Sequence, residues 1–388
     1  MDMEKLKSTF QTVVSLAILF GISTVLYLYT SGYRLERMGN NAIDITKTGM
    51  VSAKSFPESA NVYLNGILVS ATNDTISGIS PGEHKLKILK KGFVEWTKEI
   101  EVFPELVTDI TAVLVSQSPR LEPLTNTGAK APSISPSLNK LAYFSSDDED
   151  PGIWVIPLSS PGGISLFRSN PTIAIKDTRF TKYSWGENIE WGPEENQLLV
   201  KGTNEVFYLV DLELNTAQTT GSPELVRETW GDILLEKRTD FVEKLEIDEG
   251  IKALAISDKT MWSPDEKKIF YAAAAGDQTQ YKVYNFEKPL PIGEKVETIV
   301  FETNSANPQP IFSWYSDSFH LIMVEGDVAS ENEGTISLIR IDGTNKAEIY
   351  NNTLHLDKVF STPGGDKVIM LTSYKSSGQT DLYTVSIR

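Results

Sequence analysis

Hydrophobic and polar positions divide the chain into three regimes. From Ser8 to Tyr33 no side chain is charged, and the centre, Val13-Val14-Ser15-Leu16-Ala17-Ile18-Leu19-Phe20, is strongly apolar. Such a run predicts one helix of roughly 39 Å, longer than a hydrocarbon core of about 30 Å. Tyr27, Tyr29 and Tyr33 stand at one end, where an aromatic belt would lie. The rival readings are a cleaved signal peptide, for which Thr30-Ser31-Gly32-Tyr33 is a poor cleavage site, and a buried core helix. Lys5 and Lys7 face Arg34 and Arg37 across the run, so flanking charge barely decides its orientation.

A polar spacer, 34–48, with Gly39-Asn40-Asn41 as its breaker, leads into a period-two pattern. Val51, Ala53 and Ser55 alternate with their neighbours until Phe56-Pro57 ends the strand. Val62-Tyr63-Leu64 and Ile67-Leu68-Val69 flank Asn65-Gly66, a pair that tolerates the positive φ of a type I′ hairpin turn. Ile79-Ser80-Pro81-Gly82 turns into His84–Leu89, where Leu86 and Ile88 share a face, and Phe93, Trp96, Ile100 and Val102 add apolar side chains. These segments predict a small all-β unit over 49–115, near the lower size limit for an independent core.

From 119 onward one phrase recurs: a polar turn feeding an apolar strand. Its fullest copy is Trp262-Ser263-Pro264-Asp265-Glu266-Lys267-Lys268-Ile269-Phe270-Tyr271, with others around Pro136, Pro193, Ser316 and Pro363. The steps between these positions are 57, 71, 52 and 47 residues, a spacing that suits propeller blades. Each copy is followed by a second strand, at Ile153–Ile156, Val206–Val210, Tyr281–Tyr284, Ile336–Ile339 and Leu382–Val385. The fifth copy lacks an outer strand, and Arg120–Thr125 ahead of the first copy could supply it and close the ring. Five blades are therefore expected. The long second step contains Ile233–Leu245, read as a helical insertion or extra strands, with a concealed sixth blade as the alternative.

Composition narrows the function. The net charge of −16 argues against nucleic acid or an anionic lipid surface as an electrostatic partner. The absence of cysteine removes disulfides, thiolate metal sites and cysteine nucleophiles together.

Ser55-Phe56-Pro57-Glu58-Ser59-Ala60-Asn61-Val62-Tyr63-Leu64-Asn65-Gly66, Ile79–His84 and Lys90–Trp96 together resemble a PEGA domain, with Ser59 where the namesake stretch has glycine. That resemblance implies a small β-sandwich of prokaryotic surface proteins and no catalytic residue. The recurring phrase resembles the repeats of TolB-like and WD-repeat-like propellers, whose Trp-Ser-Pro-Asp-Gly is approached by the Trp262 copy with Glu266 in place of Gly. The expected class is all-β: a cytoplasmic tip and transmembrane signal anchor (1–33), the spacer (34–48), a PEGA-like β-sandwich (49–115) and a β-propeller (119–388).

Candidate chemistry is sparse. His320 falls in a polar column with Lys140, Gln197, Lys268 and Lys367 and reads as a solvated turn residue, while His84 and His355 have no catalytic company. Asp147-Asp148-Glu149-Asp150 lacks the alternating spacing of a calcium loop and reads as a charged blade loop. Trp191, Trp262 and Trp314 share one place before the turn and read as structural core, which leaves Trp154, Trp185 and Trp230 as the candidate ligand-binding residues. No catalytic residue, cofactor or metal ligand is nominated. The chain is expected to be a single-pass membrane protein with its C-terminal part outside, binding a protein or cell-envelope polymer without catalysis. The alternatives are an extracytoplasmic hydrolase or lyase with its site in the central funnel, and a purely structural envelope component.

Overall fold

A computed structural model of the protein describes residues 3–30, 32–37, 43–158, 170–374 and 378–388. The chain is mostly β and divides into two compact units, one of 1–114 with 291–294 and one of 115–290 with 295–388.

In the first unit, helix α1 (Met3–Thr30) contains a span, Thr12–Thr30, of mean hydropathy 2.0 with none of it buried. It is long and apolar enough to cross a membrane. The expected spacer instead contains two strands, Tyr33–Arg37 and Ile43–Lys47, that pair antiparallel in register from Tyr33↔Lys47 to Arg37↔Ile43. The predicted breaker, Gly39-Asn40-Asn41, lies outside the described residues.

The β pattern that follows builds two sheets around one core. Gly49–Phe56 is central in the first, antiparallel to Asp74–Ile79 and parallel to Val107–Val113. The second runs Ile67–Ala71, Asn61–Leu64, Gly82–Leu89, Trp96–Val102. Val51 and Ala53 from one sheet meet Val62, Leu86, Ile88 and Trp96 from the other, all buried. Asn65 (φ 51°) and Gly66 (φ 84°) make the hairpin turn as their left-handed tolerance requires.

The second unit contains five four-stranded antiparallel sheets, numbered here in chain order of their inner strands. Those inner strands are short: Lys130–Ile134, Asn188–Trp191, Thr260–Trp262, Ile311–Trp314 and Phe360–Ser361. Each is followed by the recurring turn and then by the apolar strand that the sequence pattern reveals. The fifth sheet is completed from far upstream, by Leu121–Pro123 pairing antiparallel with Asp381–Ser386. Among the described residues of this unit there is no sixth sheet. The long second step instead contains helices α2 (Pro223–Glu243) and α3 (Glu249–Ala255). Pro223 opens α2 at a position where its missing N–H costs nothing, and Asp248 caps α3 by accepting from the Gly250 N–H at 2.8 Å.

The five turns share one hydrogen-bond scheme. The N–H of Ser135, Gly192, Ser263, Tyr315 or Thr362 donates to the carbonyl five residues on, at 2.8–3.1 Å. The carbonyl of the same residue accepts from the N–H three residues on, at Leu138, Glu195, Glu266, Ser318 or Gly365. That third residue has φ between 55° and 62° in every copy, yet only one of the five is glycine. An L side chain there costs about 1 kcal/mol. Glu266→Gly is accordingly expected to raise stability by about 0.5 kcal/mol after loss of the exposed ion pair with Lys237 and the greater chain entropy of glycine. A thermal melt checks it, and a lowered Tm would contradict this account of the turn.

The polar column five residues into each turn is not a row of solvated side chains. Lys268 is fully buried and His320 is 2% exposed. The reason lies three residues earlier, where Asp265 and Asp317 fold back to meet them: Lys268 Nζ is 2.9 Å from Asp265 Oδ2, and His320 Nδ1 is 2.7 Å from Asp317 Oδ2.

Candidate functional site

The inner strands of all five sheets converge on one cavity of about 610 Å3. Its wall is built from the residues that flank the recurring turn. The first sheet contributes Ile134 and Leu138, the second Trp191, the third Met261 and Trp262, the fourth Ile311 and Trp314, and the fifth Val359 and Phe360. Among the described residues of this lining only two side chains are ionisable, Asp357 and Lys358, both from the segment leading into the fifth inner strand. A volume of this size with a mainly apolar lining and a few polar groups falls within the range of ligand pockets.

The three tryptophans that precede the turns both join neighbouring elements and line the cavity. The indole N–H of Trp191 donates to the Ser133 carbonyl of the first sheet at 2.9 Å, and that of Trp314 to the Met261 carbonyl of the third at 3.0 Å. Each thus ties its own inner strand to the preceding one. Trp262 departs from this rule: its indole donates to the Ala255 carbonyl at the end of α3, 2.9 Å away. The helical insertion therefore stands where the second sheet would otherwise be reached. Phe241 packs edge-on to Trp262 at 5.8 Å between ring centres, and the Arg238 guanidinium lies 5.7 Å from its ring.

Turn-to-turn bonds join the other sheets. Ser137 Oγ donates to Glu195 Oε2 at 2.8 Å, linking first to second, and the Asp265 N–H donates to Ser318 Oγ at 3.1 Å, linking third to fourth. Fourth joins fifth through the Ser316 N–H and Ser361 Oγ at 3.2 Å, and through the Tyr315 hydroxyl and the Gly365 carbonyl. Between second and third, α2 makes the bridge. Arg227 pairs with both oxygens of Glu190 at 2.8 and 2.9 Å, and Lys237 reaches Glu266 at 2.6 Å.

The candidate residues Trp154, Trp185 and Trp230 occupy three separate elements and do not line the cavity. Trp154 is half-buried in the third strand of the first sheet, its indole donating to the Asp150 carbonyl. Trp185 is exposed on a short helical turn before the second sheet. Trp230 lies on α2, with its ring over Gly192, where an added Cβ would come within 3.1 Å of it. The cavity residues escaped notice because their shared position before the turn explains core packing equally well. The signal that could have found them is that a ring's innermost strands must face its axis.

The remaining candidates are dispersed. His84 bonds Asn65 and the Ser80 carbonyl, and His355 bonds Asn332. Within the acidic run, Asp147 accepts from the Glu149 N–H and Asp150 pairs with Lys176. Among the described residues no group of three or more His, Asp or Glu side chains is placed to hold a metal ion.

No curated protein matches the chain. Among solved structures it is similar to TolB from Acinetobacter baumannii, at 13% identity and a TM-score of 0.26, covering 79% of this chain and 60% of that one. This chain thus spans less than two thirds of that protein. It is also similar to a putative TolB from Agrobacterium tumefaciens, at 11% identity and TM-score 0.25, covering 88% and 99% of the two chains. A third likeness is to an oligogalacturonate lyase in complex with manganese, at 8% identity and TM-score 0.27, covering 69% and 93%. At the other end of the chain, residues 48–118 match the PEGA domain family, in agreement with the sandwich built around Val62, Leu86 and Trp96.

Proposed function

We propose that the five sheets are the blades of one propeller, carried on a membrane anchor outside the cytoplasm, and that the central cavity binds a protein or cell-envelope polymer without catalysis. The observation that carries this reading is the cavity itself, an apolar site of ligand size with one carboxylate and one amine in its lining. An acid–base hydrolase or lyase would call for a convergent set of ionisable groups there. Helix α1 supports the anchor by its length and hydropathy, and the PEGA domain supports an envelope setting. The acidic β-rich remainder supports the N-terminus inside and the C-terminus outside.

The test is capture from solubilised cell envelope with the detergent-solubilised full chain as bait, beside the variant Ile311→Glu. Ile311 is exposed to the cavity, so the change places a charge in the apolar lining with little strain on the sheet. The expected result is a defined partner retained by the parent chain and reduced at least about tenfold by the variant, the effect of about 1.4 kcal/mol. Equal capture by both would remove the cavity from the account, and turnover of an envelope substrate by the chain would replace binding with catalysis.

A further inference from the structure

In the first unit, the strand Ile67–Ala71 is an edge of the second sheet of the sandwich, paired on one side with Asn61–Leu64. Ile67 is 68% exposed, Leu68 55% and Val69 39%, three consecutive aliphatic side chains beside the Asn65-Gly66 turn. Tyr63, half-buried, stands directly across from Leu68. No charged side chain occurs between Glu58 and Asp74, whereas 23% of the whole chain is charged. Natural sheet edges are commonly defended by charge, and this hairpin instead offers hydrocarbon to its surroundings.

What covers it follows from where the hairpin points. The chain returns to the end of α1 before the sandwich begins. The Thr48 N–H and hydroxyl both donate to the Gly32 carbonyl, at 2.9 and 2.6 Å, and the Gly32 N–H donates to the Tyr29 carbonyl at 3.3 Å. Gly49 follows, packed against Val102 and Phe103, and Val102 pairs with Gly82, so this end of the strands is the one next to α1. The Asn65-Gly66 turn opens toward the same end. Its Asn65 N–H donates to the carbonyl of Lys85, three residues beyond Gly82, which sets the turn about 10 Å along the strands from the level of Gly49. Across the sheet, Ile67–Ala71 lies three strand spacings from Trp96–Val102, a distance of about 14 Å. A tilt of about 20°, ordinary for a single membrane span, lowers that edge by about 5 Å.

We infer that this hairpin dips into the headgroup layer of the bilayer that α1 crosses, with Ile67 and Leu68 at the hydrocarbon boundary and Tyr63 among the headgroups. The inference rests on α1 being the anchor proposed above. A headgroup layer is about 5–8 Å thick, which the lowered edge reaches. The contact uses no charge, so zwitterionic lipid suffices and the net charge of −16 does not oppose it. A strand from a second copy suits the edge less well, because the bulge between Val62 and Tyr63 breaks the regular ladder that strand addition extends. Held by the hairpin as well as by α1, the sandwich is fixed to the membrane at two points and does not swing about its anchor.

The test uses the full chain in phosphatidylcholine vesicles. The chain has no cysteine, so a single introduced one takes a nitroxide label at a unique place. Labels at Leu68→Cys, at Leu19→Cys in α1 and at Lys91→Cys, in the turn at the opposite end of the sandwich, are compared by their collisions with oxygen, which concentrates in lipid, and with a water-soluble nickel chelate. The Leu19 and Leu68 labels should favour oxygen and the Lys91 label nickel. Ile67→Asp added to Leu68→Cys should reduce the docked population at least about tenfold, raising nickel collisions at Leu68 to the Lys91 level, and added to Leu19→Cys it should change nothing. A Leu68 label in water while the Leu19 label is in lipid overturns the contact and leaves the anchor standing. A Leu19 label in water removes the anchor and the contact with it. The contact is also overturned if Ile67→Asp has no effect on the Leu68 label, or if Leu68 labels broaden one another at high lipid dilution, which would assign the edge to a second copy.

Discussion

Asp381→Ala is expected to lower the unfolding free energy by about 3 kcal/mol, the scale of losing a buried acceptor shared by several donors. Its carboxyl is buried between the fifth sheet and the segment that follows the closing strand. One oxygen accepts from Thr125 Oγ at 3.0 Å and from the Gly128 N–H at 2.9 Å, and the other from Gln379 Nε2 at 3.0 Å. Thr125 Oγ in turn accepts from the Leu382 N–H at 2.9 Å, so the network ties together residues more than 250 positions apart. Alanine strands these donors in a site that water enters poorly. Asp381→Asn keeps an acceptor for Thr125 and Gly128 and should lose only about 1 kcal/mol. Urea unfolding of the full chain measures both. Hydrogen exchange should localise the loss in the alanine variant to 121–129 and 379–386, and uniform protection with unchanged stability would remove Asp381 from the closure.

A comparable loss, about 3 kcal/mol, is expected for Lys268→Met. The ammonium is fully buried, 2.9 Å from Asp265 and 3.3 Å from Glu287, and it lies 4.2 Å from the centre of the Phe319 ring in the next turn. Methionine fills much of the space but leaves both carboxylates without their shared cation. Burial pushes the Asp265 carboxyl up, yet the Ser263 hydroxyl and the Lys268 ammonium outweigh it and hold the group below the usual carboxylate range. A folded value below the unfolded one gives stability that is present above the unfolded pKa and is lost as pH falls through the folded one. Removing Lys268 reduces that depression, so the variant should unfold at a higher pH on acid titration as well as at lower urea. Circular dichroism on both titrations decides it, and an acid midpoint equal to that of the parent would show that the pair does not stabilise the turn.

These two sites also mark what the sequence made legible. The Asn65-Gly66 hairpin and the turn-strand phrase announce themselves because turn chemistry and hydrophobic period are local. The closing role of Arg120–Thr125 followed from counting strands, and Leu121–Pro123 fills it. The inner strands did not show, since two to five residues are too few for a period to emerge. The buried state of Lys268 and His320 was hidden for another reason. Polar residues beside a proline turn suggest solvent, and only the fold shows Asp265 and Asp317 turned inward to receive them. The cavity was the least legible feature, because the place before each recurring turn that supplies most of its wall reads equally well as core packing, and only the assembled sheets bring those places together.

The pairing of Leu121–Pro123 with Asp381–Ser386 also governs the order of assembly. The first four sheets are made from strands close in sequence, whereas the fifth must wait for a strand roughly 260 residues away to return. Bringing such distant segments together is entropically costly and slow relative to local hairpins. Until that happens Asp381–Ser386 has a free edge, open to strands of other chains. The hazard of pairing with another chain therefore falls on this interval, before Leu121–Pro123 covers the edge, and it is confined to one of the five sheets.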